Sequence, residues 1–158
     1  MPRRSRDLGG QGNASPDLRY GEKLVSRFVN RLMIKGKKSL AFRIFYSAMD
    51  IIEKERKDAS MDVFFLAMKN VTPSVQVKPR RVGGATYQVP TEVNPRRGEA
   101  LACRWIISAA REKSKTPMNR SLAQEFISSA KGDSPSVKRK EDTHRMAEAN
   151  RAFVHFKW

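Results

Sequence analysis

Residues 75–90 read Val-Gln-Val-Lys-Pro-Arg-Arg-Val-Gly-Gly-Ala-Thr-Tyr-Gln-Val-Pro, and no other stretch limits the fold as strongly. Val75 and Val77 alternate with Gln76 and Lys78, and Tyr87 and Val89 alternate with Thr86 and Gln88. A period of two is the mark of a β-strand. Gly83 and Gly84 between the two runs accept the positive φ angles that a tight hairpin turn requires. Pro79 and Pro90 lack a backbone donor, so neither strand suits the interior of a larger sheet. The expected unit is a two-stranded ribbon. Such a ribbon is marginal alone in water and must lean on the body of the protein or on a partner. Arg80, Arg81, Val82, Gly83 and Gly84 form its tip. Two readings of that tip stand at this point: a solvated, charged edge, or a surface that a polyanion approaches closely.

The rest of the chain reads as helix. Apolar residues fall at helical spacing in 20–33 (Leu24, Val25, Phe28, Val29, Leu32, Met33) and in about 38–54 (Leu40, Ala41, Ile44, Phe45, Ala48, Ile51, Ile52). A third stripe starts near Ser60, a candidate cap, with Val63, Phe64, Ala67, Met68 and Val71, and Pro73 ends it. Asn94-Pro95 opens a fourth, with Leu101, Ala102, Trp105, Ile106 and Ala109. A fifth carries Leu122, Phe126 and Ile127, with Gly132 as its stop. After Ser134-Pro135 comes a basic helical run whose apolar positions (Met146, Ala149, Phe153) are sparse; such a helix is expected to leave the body. The fold class is therefore mainly α, a bundle of about six helices with one extruded β-hairpin between helices three and four. The expected organisation is a flexible basic arm over 1–18, a helical bundle over 19–133 with the hairpin at 74–91, and a basic C-terminal helix and tail over 134–158.

The formal net charge is +16, from 32 Lys and Arg against 16 Asp and Glu. Such a charge opposes the compact state unless a polyanion neutralises it. No apolar run is long enough for a membrane span, so no membrane partner is expected. One cysteine, Cys103, cannot form an internal disulfide, which points to a reducing compartment and to ordinary packing for this residue. The basic groups are spread over many elements rather than concentrated on one groove-reading helix. They comprise Arg3, Arg4 and Arg6 in the arm, Lys35, Lys37 and Lys38 in the first interhelical loop, the hairpin tip, Arg96, Arg97 and Arg104 in the fourth helix, and Lys138, Arg139 and Lys140 with Arg145 and Arg151 in the tail. A distributed pattern fits recognition of several RNA segments by shape. Tyr87, Phe156 and Trp158 offer faces on which bases can stack or which simply pack.

Catalytic chemistry is not visible. His144 and His155 both lie in the basic tail and share no metal-ligand spacing with each other or with Cys103. Gly36-Lys37-Lys38 has Lys where a nucleotide-binding loop needs Ser or Thr for magnesium. No nucleophile, base and orienting group converge, so no catalytic residue, cofactor or metal is assigned.

Several of these stretches resemble the universal small-subunit ribosomal protein seven family, in its bacterial or organellar form. They are residues 24–48 with the Gly36-Lys37-Lys38 loop, Arg80-Arg81-Val82-Gly83-Gly84-Ala85, Tyr87-Gln88-Val89-Pro90, Pro95-Arg96-Arg97, and the tail from Lys140-Glu141-Asp142 through Arg145 and Arg151 to Phe153. The likeness runs nearly end to end and is weak over about 112–120. It implies a six-helix bundle with an extruded hairpin. It also implies a primary binder of small-subunit rRNA that nucleates the 3′ major domain, the head, near the exit-site tRNA and the mRNA exit channel. By the same likeness Lys35, Lys37, Lys38, Arg96 and Arg97 hold rRNA phosphates together with the arm. Arg104, Lys138, Arg139 and Lys140 join this rRNA set. Arg80, Arg81, Val82, Gly83 and Gly84 lie near mRNA or tRNA, and Arg145 and Arg151 face tRNA. Implied partners are rRNA, exit-site tRNA, mRNA and neighbouring proteins of the head and platform. The implied location is the cytoplasmic ribosome, or an organellar one.

Two rival readings stand beside it. A two-stranded ribbon with Arg and Pro near its tip is also how architectural proteins grip the DNA minor groove. An RNA-processing enzyme built on His144 is motivated only by the basic surface.

Overall fold

The computed structural model describes residues 14–156. Six α-helices, one two-stranded antiparallel sheet and a closing 3₁₀ turn follow in order: α1 Lys23–Leu32, α2 Lys38–Arg56, α3 Ser60–Val71, β1 Val75–Val82, β2 Ala85–Glu92, α4 Pro95–Glu112, α5 Met118–Lys131, α6 Pro135–Ala149 and the turn Arg151–Phe156. The expected mainly α class with a single hairpin between the third and fourth helices is what the chain adopts. By its internal contacts it divides into two compact units, with the boundary between Phe45 and Tyr46 inside α2.

In the first unit α1 begins three residues later than its periodicity suggests. The Asp17 carboxylate accepts hydrogen bonds from the backbone N–H groups of Arg19, Tyr20 and Glu22 at 3.1, 2.9 and 2.8 Å. That side chain folds the approach into a turn and competes with helix there. The α1 stripe is buried through Val25, Phe28, Val29 and Leu32, and the Phe28 and Phe45 rings meet at 5.7 Å. Leu40, counted with the buried α2 stripe on spacing alone, is 45% exposed.

In the second unit α3 packs chiefly on α5, and α4 on α5. Phe64 of α3 and Phe126 of α5, both fully buried, meet edge to face at 5.3 Å. Cys103 is buried as packing, beside Ala102, Ile106 and Ile107. Leu101 and Trp105 of the expected α4 stripe are only half-buried. Helix ends follow their local chemistry. Asn94 Oδ1 accepts from the Arg96 N–H at 3.0 Å with Pro95 next in the chain, and Ser134 Oγ accepts from the Val137 N–H at 3.1 Å ahead of Pro135. Gly132 closes α5 with φ 81°. Ser60 does not cap α3; its hydroxyl instead donates to Glu53 Oε1 at 2.7 Å, and Ala59 occupies the cap position.

The expectation that the basic C-terminal helix leaves the body is corrected. Helix α6 packs on α3, α4, α5 and the hairpin. It is anchored by polar groups, which apolar periodicity does not register. Ser136 Oγ donates to Glu125 Oε1 at 2.5 Å, Arg139 donates to Ser108 Oγ at 3.1 Å and to Glu112 Oε1 at 2.7 Å, and Lys140 Nζ donates to the Asn70 carbonyl at 2.9 Å. Glu125 is fully buried, and its second oxygen lies 3.7 Å from Lys113 Nζ at the end of α4. One carboxylate thus ties α5 to the start of α6 and to the α4–α5 connection.

Candidate nucleic-acid interface

The hairpin tip follows from its two glycines. Val82 pairs with Ala85, leaving Gly83 and Gly84 as a two-residue turn with φ 58° and 85°. Positive φ at both positions is the requirement of a type I′ turn, which matches the twist of the strands. A Cβ built at either glycine meets nothing within 4 Å, so the turn itself is open. Arg81 is exposed, and Arg80 and Val82 are half-buried. The root is held by α6 and the 3₁₀ turn: Val89 is fully buried, and the Tyr87 ring lies 5.1 Å from Phe153 and 5.2 Å from Phe156. Tyr87 and Phe156, offered as stacking faces, pack on each other here. The expected support for the ribbon comes from the body of its own unit.

A second feature is electrostatic. Lys38 opens α2, Arg96 and Arg97 lie in the first turn of α4, and Arg120 lies in the first turn of α5; none of these turns holds an acidic residue. A helix N-terminus carries a positive partial charge, so a cation there is misplaced in an isolated chain and well placed once an anion sits at that helix start. All four side chains are exposed. Arg120 is missing from the residues singled out by sequence; the signal was its position just after Pro117 at a helix start. Lys35 adds a backbone argument. It has φ 53° where glycine or asparagine is the easy choice, followed by Gly36 at 73°. Lys35 and Lys37 are exposed beside Lys38.

Along α4, Arg97, Arg104 and Arg111 are exposed at seven-residue spacing, about 10 Å apart along one side of the helix. In α6 the structure separates three neighbours: Lys138 is exposed, whereas Arg139 and Lys140 already brace the helix through Glu112, Ser108 and Asn70. Arg145 and Arg151 make exposed ion pairs with Asp142 at 3.4 Å and Glu148 at 3.6 Å. Pairs of this kind contribute little to stability. Arg3, Arg4, Arg6 and Trp158 lie outside the described residues.

His144, the one group on which an enzyme reading rests, is engaged structurally. Its Nε2 accepts the Ser74 N–H at 3.2 Å, and burial, then the neighbouring charge of Lys140, lower its pKa from the usual 6.5. Among the described residues no group of three or more His, Cys, Asp or Glu side chains can hold a metal ion, and no helix is long and apolar enough to cross a membrane.

An open turn at a basic tip, cations at several helix starts and a row of arginines make a basic surface distributed over many separate points. Residues 4–151 match the family model described as ribosomal protein S7p/S5e. The small ribosomal subunit protein uS7 of Ruegeria pomeroyi is 52% identical over 143 residues, which covers 90% of this chain and 92% of that one. The protein of the same name from Gemmatimonas aurantiaca is 53% identical over the same length and coverage. That of Dehalococcoides mccartyi strain 195 is 48% identical over 158 residues, all of both chains. The chain belongs to the S7p/S5e family of ribosomal proteins, a structural and non-enzymatic family. The rival reading as a free-standing DNA binder finds no support in these relatives.

Proposed function

We propose that the chain is a structural component of the small ribosomal subunit that binds rRNA first and nucleates folding of the 3′ major domain into the head. The observation that carries this reading is the set of exposed cations at the N-termini of α2, α4 and α5 with no carboxylate in the same turns. Those positions are destabilising for the free chain and favourable against phosphate. On this reading Lys35, Lys37, Lys38, Arg96, Arg97, Arg104 and Lys138 take rRNA phosphates, with Arg3, Arg4 and Arg6 as further contacts. Arg139 and Lys140 act mainly by holding α6 in place. The tip residues Arg80, Arg81, Val82, Gly83 and Gly84 reach toward mRNA or exit-site tRNA, Arg145 and Arg151 face tRNA, and neighbouring proteins of the head and platform complete the site. The working compartment is the cytoplasm.

The test is affinity for a 3′-major-domain rRNA fragment across a salt series, with duplex DNA of equal charge as competitor. Binding that survives excess DNA is the expected result. Equal competition by DNA overturns the reading, because it reduces the +16 charge to non-specific counterion release.

A further inference from the structure

A groove of about 320 Å³ in the first unit is lined by Leu32, Ile34, Leu40, Ala41 and Ile44 and flanked by Lys35 and Lys37. Ile34 is 57% exposed and Leu40 45%, so two large aliphatic side chains face water beside two ammonium groups. Its volume falls at the low end of small-molecule sites, roughly 300–1,000 Å³. We propose that this groove seats one unpaired nucleobase of the bound RNA while its flanking phosphates lie on Lys35 and Lys37; this rests on the rRNA-binding reading.

The argument is one of matched halves. A nucleotide joins an apolar, flat face to an anion a few bonds away, and the groove joins an apolar floor to two cations at its rim. Lysine stems can line the wall while their heads reach the phosphates. An apolar side chain from a protein partner would fill the floor but leave both ammonium groups without a counter-charge. A base inside an RNA duplex is excluded, since its faces are stacked; single-stranded loops and bulges are where bases can be splayed out for a protein. Aliphatic contact with a base face is indifferent to which base it is, so the groove selects for an unpaired nucleotide rather than for a sequence.

The test compares Ile34→Ser with Leu40→Ser, as a double variant, against Lys37→Ala, each binding the same rRNA fragment across a salt series. The double variant is expected to bind about tenfold more weakly, in the range of one lost base contact, with an unchanged salt slope. Lys37→Ala is expected to lower the slope by about one. Both apolar residues are substantially exposed, so the fold should persist; if a thermal melt shows otherwise, Leu40→Ala alone serves, with a smaller loss at the same unchanged slope. Unchanged affinity in a wild type that binds overturns the groove and leaves the rRNA reading standing. Failure of the wild type to bind the fragment overturns the rRNA reading instead. A double variant that binds rRNA normally but loses a neighbouring protein from reconstituted particles assigns the groove to protein and overturns the proposal. A loss of affinity with a changed slope also overturns it, since the lysine contacts were then the ones lost.

Discussion

The backbone N–H of Ser74, at the root of the hairpin, donates to Nε2 of His144 on α6 at 3.2 Å, across 70 residues of sequence. Only the unprotonated nitrogen can accept that bond.

This sets a pH dependence at the hairpin root. Burial, and then the charge of Lys140, lower the His144 pKa below the 6.5 of the free side chain. The unfolded chain therefore takes up the proton first as pH falls. The contribution of His144 is complete above about 6.5 and is lost as pH drops through the lowered folded-state value. Amide exchange of Ser74, corrected for intrinsic rate, should accelerate in that window, and His144→Gln should abolish the extra acceleration. A Ser74 protection factor that stays flat to well below pH 6 would refute the linkage.

Glu125 and Lys113 should respond unequally to removal. Glu125 is fully buried and Lys113 one-third exposed. Among the described residues Lys113→Met leaves the buried carboxylate with only Ser136 as partner, a loss on the order of 3 kcal/mol, the low end for stripping a buried charge of its partner. Glu125→Gln frees a lysine that can rehydrate, and costs about 1 kcal/mol, one hydrogen bond's worth. Urea midpoints of the two variants check the order; the reverse order would mean that the pair is not the reason for burying the acid.

Gly98 is a packing glycine, not a flexible one. A Cβ there would stand 2.9 Å from Thr72 Cγ2 and 3.1 Å from the Pro73 carbonyl oxygen. Gly98→Val should therefore destabilise by about 2 kcal/mol through overpacking, or roughly 4–8 °C in Tm for a chain of this size. A melting temperature equal to wild type would show that the α3–β1 connection yields freely.

Arg80→Ala with Arg81→Ala should leave rRNA affinity largely intact and cost the fold little, because Arg81 lies beyond the clamped Tyr87–Arg80 pair and Arg80, at its edge, is only half-buried. Parallel melts and rRNA titrations measure both; abolished rRNA binding would remove the distinction between an anchoring body and a reaching tip.

The hairpin was legible because prolines, glycines and a period of two are local rules that packing does not overrule. The starts of α4 and α6 were legible for the same reason, through Asn94-Pro95 and Ser134-Pro135. Docking of α6 was not. Its anchors are Ser136, Arg139 and Lys140, which look like surface residues until their acceptors on α5, α4 and α3 are known. Leu40 failed in the opposite direction: periodicity fixes an angle around the helix, not whether anything covers that angle. The candidate binding residues were legible as charge, but Arg120 went unmarked because the likeness is weak over about 112–120, although the start of the fifth helix beside it was legible from Pro117.

The ring clamp on Tyr87 has a mechanical consequence. Tyr87 pairs with Arg80, and only two further pairs, Arg81 with Thr86 and Val82 with Ala85, separate it from the turn. At about 3.3 Å per residue the tip overhangs its last fixed point by roughly 7 Å. So short a cantilever bends little. Arg81 is thereby held at a set height above that point, and changing the reach would take insertion of whole residue pairs, since a single added residue would turn every side chain beyond it to the opposite face.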